Sequence, residues 1–215
     1  MSLTIRPYRQ ADRQAVRAIA CDTAERGEPV ECFFHDRDVF ADLLTRYYAE
    51  WEPESLWVAE RDGQVVGYLT GCLDTRRYHR VMRWRIIPAA ALRGLLMGLL
   101  CRSETWRLVR AAIATWRLGG AGSSKPLREH PAHLHVNVRR DVRGQQVGQR
   151  LVTRFIQQVC TAGLRGIYAA VRSDNPSACR FFERQGFAPL SRSPVAFPSG
   201  ERLAFHETVI YGKRL

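Results

Sequence analysis

The sequence predicts a mixed α/β fold, a sheet flanked by helices. Three observations carry that reading. Apolar residues switch between alternate and helical spacing in the order β-α-α-β-β-β-α-β-α-β-β. Hydrophobic residues make up 46% of the 215, enough for a real core and too many for a disordered chain. Asp62-Gly63, between two strand-like runs, is a strong two-residue hairpin signal.

The elements follow in order. Leu3 and Ile5 alternate with polar neighbours and open a first strand. A helix runs from about Asp12, with Ala15, Val16, Ile19 and Ala20 on one face. Asp36 is placed to cap a second helix, whose apolar positions Val39, Phe40, Leu43, Leu44, Tyr47, Tyr48 and Trp51 keep the helical period. Ser55–Glu60 and Gln64–Leu73 are strands across the Asp62-Gly63 turn. Leu134–Val138 is a strand, Gln146–Cys160 a helix, Gly166–Val171 a strand and Pro176–Gln185 a helix. Phe187–Leu190 and Leu203–Tyr211 close the sheet.

Thr75–Pro131 falls outside this order. A hairpin would join the third and fourth strands in a few residues, and here more than fifty intervene. Pro88 is expected to break the segment. Ser103 is placed to cap a helix through Leu118, and Gly119–Ser124 reads as a linker. Residues 76–130 hold twelve basic and two acidic side chains, a net +10 of the +12 carried by the whole chain. Trp106, Val109, Ile113 and Trp116 form one stripe, with Arg107, Arg110 and Arg117 beside it. Such a segment suits a lid or dimer contact with its tryptophans packed inward, an interfacial anchor on lipid, or a phosphate-binding surface. No recognised nucleic-acid motif accompanies the charge, which disfavours nucleic acid. Leu92–Leu100 is far shorter than the ~20 residues needed to span a bilayer.

The most informative stretch is Val136–Phe187. The strand-like run to Val138 is followed by a basic, glycine-containing loop, Arg143-Gly-Gln-Gln-Val-Gly148, and then by an apolar-periodic helix. This order makes an anion site. Free N–H groups and the dipole at a helix start favour negative charge, glycine permits close approach, and Arg143 adds a charged fork. Downstream, Ile167–Phe187 reads as strand, Asn175-Pro176 break, short helix, glycine C-cap at Gly186 and aromatic re-entry. A helix cap alone would account for Asn175; a cap that also contacts a ligand would do so equally.

Together these motifs resemble the GNAT superfamily of acetyl-CoA-dependent acyltransferases. Arg143–Gly148 is similar to its pyrophosphate loop, Gln/Arg-x-x-Gly-x-Gly/Ala. Asn175–Phe187 is similar to its Asn-x-x-Ala-x-x-Phe-Tyr-x-x-x-Gly-Phe helix. The resemblance covers roughly residues 3–74 and 132–211 of the chain. Within the superfamily, His130-Pro-Ala-His-Leu-His135-Val-Asn137 and Leu73-Asp74-Thr75 resemble bacterial relatives of the acetyltransferase-like domain of O-GlcNAcase proteins. The resemblance implies one domain over 1–215 with a six- to seven-stranded mixed sheet and a long basic helical insertion at about 75–131. It implies acetyl-CoA as cofactor and transfer of an acetyl group to the amine of a small molecule or amino sugar. The cofactor would contact Val136 and Val138 on the fourth strand, Arg143, Gly144, Gln145, Gln146, Val147, Gly148 and Gln149 in the loop, and Asn175, Ala178 and Phe182 in the later helix.

Two positions depart from the family pattern. Gln146 replaces the central loop glycine. Phe182 stands where the family often has a tyrosine that protonates the leaving thiolate, so water or Tyr168 would have to serve. With a thiol pKa of ~8.5 the thiolate can also leave without a strong acid. Alternation puts His133, His135 and Asn137 on one strand face. His135 or His133 suits proton removal, or is a hydrogen-bonded interior residue. Asp74 is a turn residue or orients the amine. A non-catalytic acyl-CoA-binding module remains an alternative. Six scattered cysteines with no C-x-x-C pair, and no apolar run after a basic start, fit reduced thiols, no metal and a cytoplasmic setting. A homodimer is compatible with everything above.

Overall fold

The computed structural model describes residues 3–120 and 128–215. Seven strands form one sheet in the order β1-β2-β3-β4-β5-β7-β6. They are β1 (Leu3–Pro7), β2 (Leu56–Arg61), β3 (Gln64–Cys72), β4 (Ala132–Val138), β5 (Gly166–Arg172), β6 (Ala188–Ser199) and β7 (Arg202–Arg214). All neighbours are antiparallel except β4 and β5, which are parallel. The hairpin at Asp62-Gly63 forms as expected: both residues have positive φ, 52° and 78°, the twist that a tight two-residue connection needs. The closing strands are longer than the sequence suggested, because β6 and β7 pair along their whole lengths.

Both sheet faces are covered. On one, α6 (Val147–Thr161) and α7 (Pro176–Arg184) bury Leu151, Val152, Phe155 and Phe182 against Trp57, Leu69, Leu134 and Ile167. On the other, α1 (Arg13–Asp22) and α2 (Arg37–Trp51) bury Val16, Ile19, Tyr47 and Tyr48 against Leu56, Val58 and Tyr68. Alternation along β2 sends Trp57 to the first core and Leu56 and Val58 to the second. Asp36 caps α2 as predicted, its carboxylate accepting from Val39 N at 2.8 Å. Gly71 lets α6 approach β3 closely: a Cβ there would lie 2.2 Å from the Phe155 ring.

Between β3 and β4 the chain forms α3 (Thr75–Val81), a π turn (Met82–Ile86), α4 (Ile87–Leu96) and α5 (Ser103–Arg117). Pro88 does not break this run. It occupies the first turn of α4, where a missing N–H is tolerated, and the preceding backbone takes the wider π spacing. Ser103 is the first residue of α5 rather than its cap; Arg102 takes the cap position without a side-chain bond. Of the expected linker, Gly119 and Gly120 are described, and 121–124 lie outside the described residues. Thr75 N and Oγ1 both donate to the Pro131 carbonyl, at 3.2 and 2.7 Å, so the two ends of the segment meet.

The expected inward packing of the tryptophan stripe is overturned. Leu108, Ala111 and Thr115 turn α5 toward β6, where Ala196 N donates to Thr115 Oγ1 at 2.9 Å. Trp106, Val109, Ile113 and Trp116 face solvent, Trp116 at 69% exposure. The helical period correctly grouped the four residues on one face. What that face meets is decided by tertiary packing, and here the small-residue face fits the hairpin.

Candidate active site

The site begins where the sheet comes apart. β4 pairs β5 only at Ala132↔Ile167 and His133↔Tyr168; beyond that the strands diverge. The β3–β4 register runs from Cys72↔His133 to Gly67↔Val138, and Arg139 N donates to Val66 O at 2.9 Å. Antiparallel hydrogen bonding alternates, so odd-numbered residues of β4 bond to β3 and even-numbered ones face β5. Val136 and Val138, past the last β5 bridge, therefore aim backbone groups into the gap.

The gap is a cleft of about 610 Å³, walled by Leu134–Val138 of β4 and Ala169–Arg172 of β5. Its floor is the loop before α6. Gly144 and Gln146 both have positive φ, 79° and 61°. Gln146 holds the N-cap position in the left-handed region and makes no side-chain cap bond, so the first N–H groups of α6 face the cleft uncapped by it. Val142 is buried and pins the loop to the core. Gly148 sits against Phe181, where a Cβ would make an ordinary contact at 3.4 Å.

Of the expected cofactor contacts, Val136, Val138, Arg143, Gly144, Gln146, Val147, Gly148, Gln149, Asn175, Ala178 and Phe182 all line this cleft. Gln145 does not; its side chain points away and accepts from Arg61 at 3.0 Å. Asn175 caps α7, its Oδ1 accepting from Ala178 N at 3.1 Å. The Arg143 guanidinium folds across the cleft, with Nε 3.4 Å from Val138 O and its nitrogens 2.5 Å from where a Cβ on Gly27 would be.

The three candidate catalytic residues are not brought together in the cleft. His135 lines it and is exposed there; the dense protein around it pulls its pKa below the ordinary imidazole value. His133 is buried beneath. Its Nε2 is 3.0 Å from the Tyr48 hydroxyl, and its Nδ1 2.7 Å from Thr75 Oγ1. The Thr75 hydroxyl has one proton and donates it to Pro131 O, so Nδ1–H donates to Thr75 and Nε2 accepts from Tyr48. Burial first, then the nearby His79 and His135, lower its pKa to about 3. His133 is thus neutral with both nitrogens engaged. Asp74 is exposed and caps α3, accepting from Arg76 N at 2.9 Å and Arg77 N at 3.2 Å. Tyr168 is buried outside the cleft lining, its ring 5.6 Å from that of His133, and burial raises its pKa to about 12.

Sequence reasoning missed one wall entirely. Thr23–Gly27, after α1, closes over the cleft. Glu25 and Glu28 bond across a tight turn at 3.0 and 2.8 Å, with Arg26 and Gly27 at φ 52° and 97°. Arg172, on the β5 wall, ties this turn down by pairing with Glu25 at 2.8 Å and Asp174 at 2.5 Å, and lies 4.3 Å from the Phe197 ring. The string Glu-Arg-Gly-Glu-Pro signals a turn; nothing in it says which strands the turn will cover. Among the described residues, no His, Cys, Asp or Glu cluster could hold a metal.

The seven-stranded sheet is split between its two parallel strands, with the start of α6 at the split. A model of the acetyltransferase (GNAT) family matches residues 108–187. The crystal structure of SsHAT is similar over 100% of this chain and 98% of its own, with TM-score 0.72 and 26% identity. The yncA protein of Salmonella typhimurium, solved with its cofactor acetyl-CoA, is similar over 100% and 94%, with TM-score 0.61 and 18% identity. A ribosomal-protein-alanine N-acetyltransferase from Brucella melitensis is similar over 99% of both chains, with TM-score 0.59 and 18% identity. Over residues 108–187 the chain is thus similar to the acetyltransferase (GNAT) family, and the solved structures share its fold.

Proposed function

We propose that the protein is an N-acetyltransferase that moves the acetyl group of acetyl-CoA to the amine of a small molecule or amino sugar. The observation that carries the reading is the divergence of β4 from β5, with Val136 and Val138 aimed at a cleft that ends on the start of α6. The donor set fits the cofactor. Backbone groups of β4 suit an amide-bearing arm, the N–H groups at Val147–Gln149 with Arg143 suit a pyrophosphate, and the Val136 N–H suits a thioester oxygen. Acetyl-CoA supplies an activated acyl group; the chain's own residues orient it and take the amine proton. His135 is the proposed base. It is neutral, exposed in the cleft, and free of the bonds that hold His133. Asp74 is a proposed orienting group at the acceptor side, and residues 1–215 act as one domain with 75–131 inserted in it.

A non-catalytic acyl-CoA-binding module is the second reading. Phe182 favours it, since its buried ring, packed on Phe181 and Phe187, has no proton to give a thiolate. Calorimetry with acetyl-CoA on wild type and Arg143→Ala, followed by thiol release with a panel of amines and amino sugars, tests both. Weaker binding in the variant with turnover on one acceptor is the expected result. Binding without turnover on any acceptor selects the second reading, and no binding by folded protein removes both.

A further inference from the structure

The β3–β4 segment exposes several large apolar side chains. At the end of α4, Leu95 and Leu96 are exposed, Leu96 at 78%, as is Met97 just beyond it. On α5, Trp106, Ile113 and Trp116 are exposed, while Ala111 is buried. The Trp106 indole N–H donates to Leu100 O at 2.8 Å, which joins the α5 stripe to the turn after α4. Exposed leucine, methionine and tryptophan side chains are thus gathered on one segment, and clusters of that kind mark interaction sites. The same segment holds twelve basic and two acidic residues, and Arg83, Arg85, Arg110 and Arg117 are exposed there.

We propose that this face docks on an anionic phospholipid bilayer, with α4 and α5 lying in the plane of the interface. The chemistry is complementary at two depths. Leucines, methionine and tryptophan enter the boundary between headgroups and acyl chains, tryptophan being suited to that level, and the arginines meet phosphate above it. The segment lies on the bilayer and does not cross it. No helix among the described residues is long and apolar enough to span, and the ten residues of α4 reach only ~15 Å.

The chemistry of the face favours this occupant over two others. A second copy of the chain, joined by a twofold axis through the same patch, would set one arginine-rich face against another. Nucleic acid would use the arginines and leave Leu95, Leu96 and Met97 in water.

Co-sedimentation of the full chain tests the proposal, using phosphatidylcholine vesicles with and without phosphatidylglycerol at low and moderate salt. Expected is binding to the anionic vesicles, little to phosphatidylcholine alone, weakening with salt, and a blue shift of tryptophan emission on binding. Leu96→Ser with Trp116→Ser should weaken partitioning roughly tenfold or more with an unchanged circular dichroism spectrum and melting temperature. Arg110→Glu with Arg117→Glu should weaken it separately and flatten the salt dependence. Absence of anionic-vesicle binding by wild type, or binding untouched by both double variants, overturns the proposal. A concentration-dependent dimer in light scattering that Leu96→Ser with Trp116→Ser abolishes gives the face to a second copy. Binding to duplex DNA that survives that same variant, without vesicle binding, gives it to nucleic acid.

Discussion

His133 should make the protein acid-sensitive in a way that one substitution isolates. Its imidazole is buried, neutral and bonded at both nitrogens, with a pKa of about 3. In the unfolded chain it returns to ~6.5. The folded pKa is depressed, so the unfolded state binds the proton more readily. The folded state therefore keeps this contribution in full above ~6.5 and loses it progressively as pH falls toward 3. Between neutrality and about pH 5 the loss is ~2 kcal/mol, and about 1.4 kcal/mol more follows per further pH unit until pH 3 is approached. Urea unfolding of wild type and His133→Gln at the two pH values measures it. The variant should be less stable at neutral pH, because a buried network is broken, yet its own fall to about pH 5 should be smaller by ~2 kcal/mol. Other groups titrate in both proteins and cancel in the difference. Equal falls would mean that the pocket admits a charged imidazole, and would return His133 to the list of working bases.

Three further outcomes follow from geometry. Gly71→Ala places a methyl 2.2 Å from the buried Phe155 ring and should destabilise by roughly 1–3 kcal/mol in urea titration; a neutral change would show that α6 can lift off β3 without strain. Gln146→Gly removes a left-handed non-glycine conformation, worth ~1–2 kcal/mol, against ~0.4–1 kcal/mol of added freedom in the unfolded chain. The net should be a gain of up to about 1 kcal/mol, and a clear loss in thermal unfolding would show that the glutamine side chain holds the loop. His135→Ala should lower kcat on the order of a hundredfold once an acceptor is known, and unchanged kcat would leave water or Asp74 to take the proton.

What the sequence disclosed was whatever is local. The turn at Asp62-Gly63, the Asp36 cap and the Asn175-Pro176 helix start are each set by neighbouring residues, and each formed as read. The loop before α6 was legible because glycine and arginine spacing there expresses a backbone requirement. The split between β4 and β5 was not legible from pattern alone, since a parallel register joins segments thirty residues apart and leaves no mark at either. Nor was the contrast between His133 and His135. Alternation puts both on one face, and only the arrival of Tyr48 from α2 and Thr75 from α3 occupies the first and leaves the second open. The Trp106–Trp116 stripe shows the same limit, because period groups residues on a face and says nothing of what covers it.

The contact between Thr75 and Pro131 has a consequence for how this chain can change. A loop whose ends already touch adds no distance for its hosts to bridge. Its length enters stability through closure entropy, and that grows only with the logarithm of length: replacing 76–130 by a four-residue turn would recover roughly 2 kcal/mol of it. Against that stand the burial of Ile86, the packing of Tyr78, Val81 and Met82 on the second core, and the contacts α4 makes with α2 and α5 with β6. Neither β3 nor β4 would have to move, and no described residue of the segment lines the cleft. The cleft and the exposed apolar face thus lie on separate lengths of one chain, joined through Tyr78, whose ring packs on His133 and Tyr48, and Ile86, which is buried in the core.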